Sequence, residues 1–141
     1  MRIAVVDGQG GGIGKYLVER IRKALGQEIE IIALGTNSYA TYNMLKAGAN
    51  EGATGESALI YNINRVDLIL GPVGIVFPYG MLGEITPKMA KALALTKAKK
   101  ILLPLARENF LFAGIGEIPL PHLVDDLIEL LTKELQKKSG Q

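Results

Sequence analysis

A chain of 141 residues with a formal charge of +2 is long enough to enclose one hydrophobic core and too short for a catalytic domain plus a separate cofactor domain. Apolar residues make up 48% and charged residues 21%, which excludes a disordered chain, and so small a net charge leaves no electrostatic footprint for a nucleic-acid partner. The lack of cysteine excludes disulfides, thiolate catalysis and iron–sulfur clusters, removes most structural zinc chemistry, and suits a cytoplasmic protein.

Met1-Arg2 leads at once into an apolar run, so no secretion signal is expected. Ile3 to Val6 is continuous and β-rich and predicts a strand covered on both faces. After a glycine cluster, Ile13, Leu17, Val18, Ile21 and Leu25 recur at helical spacing, and Gly26 is placed to close that helix. Ile29 to Leu34 predicts a second strand, parallel to the first through a right-handed crossover. Asn37 or Ser38 caps a helix through Ala47, which Gly48 ends. Gly48 to Ser57 reads as a polar loop, Ala58 to Tyr61 as a strand, and Val66 to Leu70 as another strand stopped by Gly71-Pro72. Thr86-Pro87 begins a helix that runs to about Lys97. Ile101 to Leu105 predicts a buried strand and Phe110 to Ala113 a weaker one. Leu123, Val124, Leu127, Ile128, Leu131 and Leu135 predict a last helix after Pro121. The longest apolar tract, Leu68 to Leu82, is short of a membrane span and is broken by prolines and glycines, so no membrane partner is expected. The lysine-rich stretches Thr96 to Lys100 and Lys133 to Lys138 are solvated faces. Alternating strands and helices predict one α/β sandwich with a mostly parallel sheet over residues 1–137, followed by a frayed tail at 138–141.

In such a sheet a ligand sits outside the carboxyl ends of the strands, which selects Gly8 to Gly14, Gly35 to Ser38, Gly71 to Gly74 and Arg107 to Asn109. The first loop (Gly8, Gln9, Gly10, Gly11, Gly12, Ile13, Gly14) precedes a helix N-terminus, so its amides and the helix dipole make a site for a phosphate; alternatively the glycines only turn the chain. Thr36, Asn37 and Ser38 can donate to a phosphate or sugar, or cap the helix they begin. Gly71, Pro72 and Gly74 either close over a ligand or form a turn. Asp7 either meets the ligand or accepts from the glycine turn's own amides. Thr54 and Glu56 fall on the polar loop, as part of a lid or of a solvated surface. Glu84 favours the dipole of the helix beginning at Thr86, and His122 belongs to a helix start; no metal site is expected.

The register of the glycines separates known loops. A P-loop requires glycine at Gln9 and Ser or Thr at Tyr16, and G-x-G-x-x-G begun at Gly8 and Gly10 ends on Ile13. Gly8, Gly12 and Gly14 make G-x-x-x-G-I-G. With "GIGKYLVERI" following, this resembles the cofactor loop of short-chain dehydrogenases/reductases, which implies NAD or NADP. A G-x-G-x-G through Gly8, Gly10 and Gly12 is methyltransferase-like and keeps S-adenosylmethionine open, as well as a mononucleotide. Two departures stand against the dehydrogenase likeness: "LGTNS" (Leu34 to Ser38) lacks the acid that accepts ribose hydroxyls, and Tyr42 and Lys46, at Tyr-x-x-x-Lys spacing, lie on the wrong crossover. No catalytic residue is identified.

Along the whole chain, "DGQGGGIGK" (Asp7 to Lys15), "MLKAGAN" (Met44 to Asn50), "GATGE" (Gly52 to Glu56), "GPVGIV" (Gly71 to Val76), "MLGEITP" (Met81 to Pro87) and "PHLVDD" (Pro121 to Asp126) resemble a family of small bacterial proteins catalogued as a domain of unknown function. That resemblance implies a Rossmann-like three-layer sandwich. The expectation is a phosphate-bearing small ligand at the glycine loop, with or without NAD(P)-dependent oxidoreductase activity. The alternatives are a non-catalytic sensing or accessory module and a purely structural loop. A homodimer is left open.

Overall fold

Apolar runs without alternation make strands that need cover on both faces, and the computed structural model, which describes residues 1–105 and 109–139, provides it. β1 (Arg2–Asp7), β2 (Glu30–Gly35), β3 (Glu51–Thr54), β4 (Leu68–Pro72) and β5 (Lys99–Leu103) form one sheet in the order β3-β2-β1-β4-β5, with every pairing parallel. Asp7 lies opposite Gly35 and Val5 opposite Leu70, so the carboxyl ends of β1, β2 and β4 share one rim.

The side-chain period of two sends alternate strand residues into separate cores. Ile3 and Val5 of β1 pack with α1 (Gly12–Leu25), α2 (Ser38–Ala47) and α5 (Leu120–Ser139) on one face. Ala4 and Val6 pack with α3 (Glu56–Ile63) and α4 (Pro87–Leu95) on the other. This is a Rossmann-like three-layer α/β sandwich. The chain leaves β3 at one edge and returns at β4 on the far side of β1, so the helices change face there and a crevice opens at the rim above β1 and β4.

The helix ends follow local chemistry. Asn37 caps α2, its side-chain oxygen accepting from the Ala40 amide at 2.9 Å. Thr86 caps α4 by accepting from the Met89 amide at 3.1 Å, with Pro87 next in the helix. Thr86→Ala is expected to cost about 1 kcal/mol, read as a lower urea midpoint, because one orphan amide loses its partner.

Several expectations are corrected. The polar stretch after Gly48 contains β3, and Ala58 to Tyr61 lies inside α3. β3 is an edge strand in which only Ala53 is even partly buried, so it carries no apolar pattern. In α3 the buried residues are Leu59 and Ile63, four apart, which is one helical face and not a strand. Phe110 to Ala113 holds an isolated bridge at Phe110 and a turn at Ala113 where a strand was expected, and α4 stops at Leu95. α5 continues through Ser139, while Gly140 and Gln141 of the expected tail lie outside the described residues. Among the described residues no helix is long and apolar enough to cross a membrane.

Candidate functional site

β1 delivers Asp7 to the rim, where the residue is 4% exposed. Its Oδ1 accepts from the Gly8 amide at 2.8 Å and its Oδ2 from the Gly14 amide at 2.7 Å. Gly14 stands in the first turn of α1, where an amide has no partner within the helix, so Asp7 caps α1 from beneath the loop. Burial raises the Asp7 pKa; the bonds from Gly14 and Gly8 oppose the rise, and the charge of Glu84 adds to it. Of the two roles open to Asp7, the turn's own amides claim it. Gly11, the residue before α1, has φ +70°, and its amide donates to the Gly8 carbonyl at 2.9 Å.

A second carboxylate closes the loop from above. Glu84 Oε1 accepts from the Gln9 amide at 2.8 Å, the Thr36 hydroxyl at 2.5 Å and the Asn37 carboxamide at 2.9 Å. The Thr36 hydroxyl holds the Glu84 pKa below the ordinary glutamate value; partial burial opposes this, and the Gln9 and Asn37 bonds reinforce it. Among the described residues neither Asp7 nor Glu84 has an ion-pair partner. The hydrogen bonds of the Glu84 carboxylate go to the glycine loop and the β2 end and not to α4, the helix it was expected to favour. It reaches back to the end of β2, 48 residues from Thr36, and no spacing rule connects the two.

Four of the amides expected to serve a phosphate already have partners: Gly8 and Gly14 donate to Asp7, Gln9 to Glu84, and Gly11 to Gly8. Gly10 and Gly12 face open space, since a Cβ on either would meet nothing within 4 Å. Thr36 and Asn37 converge with the loop as donors, whereas Ser38 is exposed at the start of α2 and takes no part. Asp7, Gln9, Ile13, Pro72, Gly74 and Met81 line a crevice of about 200 Å³. Gly71 lies beneath it in β4, its Cβ position only 2.5 Å from the Val6 carbonyl oxygen. Leu105 borders this crevice and also a larger apolar cavity of about 650 Å³, walled by Phe112, Ile115, Ile118 and Leu123.

The remaining candidates are accounted for locally. Thr54 is in β3, bonded to the Thr41 hydroxyl at 2.7 Å, and Glu56 begins α3 and accepts from the Thr86 hydroxyl, so neither is on a free loop. Lys46 sits over the Tyr42 ring on α2, 5.2 Å from its centroid. His122 is in the first turn of α5, its amide donating to the Pro119 carbonyl at 3.0 Å. Arg107 and Glu108 lie outside the described residues, and Asn109 is exposed.

Among solved structures the chain is similar to the dodecameric FMN-dependent Ubix-like decarboxylase from Escherichia coli O157:H7, at 14% identity and a TM-score of 0.49 over 94% of each chain. No curated protein matches it. The family model described as "Domain of unknown function (DUF3842)" matches residues 2–136, and with the glycine loop, the β2 end and the Glu84 segment all inside that span, the chain belongs to this family.

Proposed function

We propose that the protein binds a nucleotide through a phosphate group at the meeting point of the glycine loop and the β2 end. The observation that carries this reading is the convergence of three donors, the Gln9 amide, the Thr36 hydroxyl and the Asn37 carboxamide, on one anionic oxygen. Donors in that number suit a phosphate oxygen, whereas a ribose diol at the same place calls for an acid, which β2 does not supply. This favours NADP, with its ribose phosphate, or a mononucleotide over NAD and S-adenosylmethionine. Gly10 and Gly12, open on the adjacent side, leave space for the rest of the ligand. Asp7, already capped by main-chain amides, is a structural member of the site and not a ligand group.

A non-catalytic sensing module is the second reading, and it rests on a specific observation: the anion in this cradle belongs to the chain itself, so ligand entry would exchange one internal contact for an external one.

The test is a thermal-shift panel of NADP, NAD, ATP, S-adenosylmethionine and inorganic phosphate. A phosphate-bearing ligand at a hundredfold excess over its Kd is expected to add about 2.7 kcal/mol of stability, and Thr36→Val to remove that gain. No shift with any ligand would leave the glycines as chain-turning residues only.

A further inference from the structure

Residues 77–85 run from the end of the short 3₁₀ turn Val73–Val76 to the start of α4 and lie across the glycine loop. Four features describe this strap. Its backbone folds on itself, with the Tyr79 amide donating to the Ile85 carbonyl at 2.7 Å and the Ile85 amide to the Gly80 carbonyl at 3.0 Å. Tyr79, Met81 and Leu82 have φ of 61°, 56° and 57°, followed by Gly83 at 93°, so three residues with side chains stand in the left-handed region that disfavours a Cβ. Met81 and Ile85 are buried in the core of the α3 and α4 face, while Leu82 is 94% exposed at the tip. The strap meets the loop at Gly8: a Cβ there would stand 2.5 Å from Thr36 Oγ1, 2.7 Å from Met81 Sδ and 3.1 Å from Glu84 Oε1.

This conformation is what delivers Glu84 to the three donors. A strained turn persists only where its surroundings hold it. Here the holding contacts are the strap's own backbone hydrogen bonds, two buried side chains and one carboxylate bonded to Gln9, Thr36 and Asn37. The carboxylate is the one member of the set that an external anion can replace in kind.

We infer that residues 77–85 are a self-inhibitory strap in which Glu84 occupies the phosphate position of the ligand, so that nucleotide binding proceeds by displacement of Glu84 and release of the left-handed turn. The inference rests on the proposed nucleotide reading and adds its regulation: ligand affinity is set by competition with the chain's own carboxylate. At the far end of the strap the Phe77 ring stacks on Phe110 with centroids 4.4 Å apart.

The experiment compares wild type, Glu84→Gln and Glu84→Ala by calorimetric titration with NADP and with ADP, alongside amide hydrogen exchange with and without ligand. At least tenfold tighter binding is expected in both variants, with Thr36→Val weakening binding in either background. In wild type, ligand is expected to speed exchange at residues 79–85 while the Gln9 amide stays protected. Equal affinity in all three proteins, with exchange in the strap unchanged by ligand, overturns the strap and leaves the nucleotide reading standing. Binding of neither probe by any of the three overturns both. Should Glu84→Ala fold poorly, Glu84→Gln, which keeps the size of the side chain and one carbonyl acceptor, decides the question.

Discussion

Gly11→Ala is expected to destabilise the protein by about 2–5 kcal/mol and to lower the melting temperature by roughly 10 °C. Two costs combine. Gly11 has φ +70°, where an L side chain is disfavoured, and its Cβ would stand 2.7 Å from the Ala40 Cα and 3.0 Å from the Ala40 carbonyl oxygen. Those atoms are main chain of α2, whose neighbour Asn37 is tied to the loop through the Gln9 carbonyl, so the helix cannot move aside without breaking the loop. Gly12→Ala, one residue on, is the control: its Cβ meets nothing and it stands in the first turn of α1. It is expected to stay within about 1 kcal/mol of wild type, on the stabilising side. Equal melting of the two variants would show that the cap geometry constrains nothing.

Asp7→Ala is the second large effect, about 2–5 kcal/mol, because it strands the Gly8 and Gly14 amides beneath the loop. Asp7→Asn keeps one acceptor and is expected to fall between alanine and wild type. The pair can also be told apart by pH. Burial raises the folded pKa of Asp7 above its ordinary 3.8, so as pH climbs from 3.8 the unfolded chain loses this proton first, and the residue's contribution falls until its folded value is passed. Glu84 runs the other way: its folded pKa lies below 4.5, so its contribution is full above 4.5 and is lost as pH drops through the folded value. Urea midpoints between about pH 3 and 7 should therefore show a descending component in wild type that Asp7→Asn lacks. Parallel profiles for the two proteins would contradict the buried, charge-disfavouring site.

β1, α1, β2 and α2 were legible because each is announced by its own residues: an unbroken apolar run, helical spacing closed by Gly26, and the Asn37 cap. β3 reads as a loop and α3 as a strand because their residues give misleading signals. The strand is an exposed edge with nothing apolar to alternate, and "ALIY" places four apolar residues together in a helix that buries only Leu59 of them. At the site, Thr36, Asn37 and the glycine loop could be recognised as donors, since strand order puts the β1 and β2 ends side by side. Glu84 could not. Its position depends on left-handed backbone at Met81 and Leu82, residue types that carry no such preference, and on a contact made far along the chain. Asp7 was legible as one of two roles, and only the geometry of the Gly8 and Gly14 amides chooses between them.

The division of β1 into Ile3 and Val5 on one side and Ala4 and Val6 on the other makes the sheet a wall between two apolar compartments. One holds α1, α2 and α5; the other holds Ile75, Met81 and Ile85 with α3 and α4. Local opening of the second compartment, the half that carries Glu84, is expected to need less free energy than global unfolding, read as faster amide exchange in α3 and α4 than in α1.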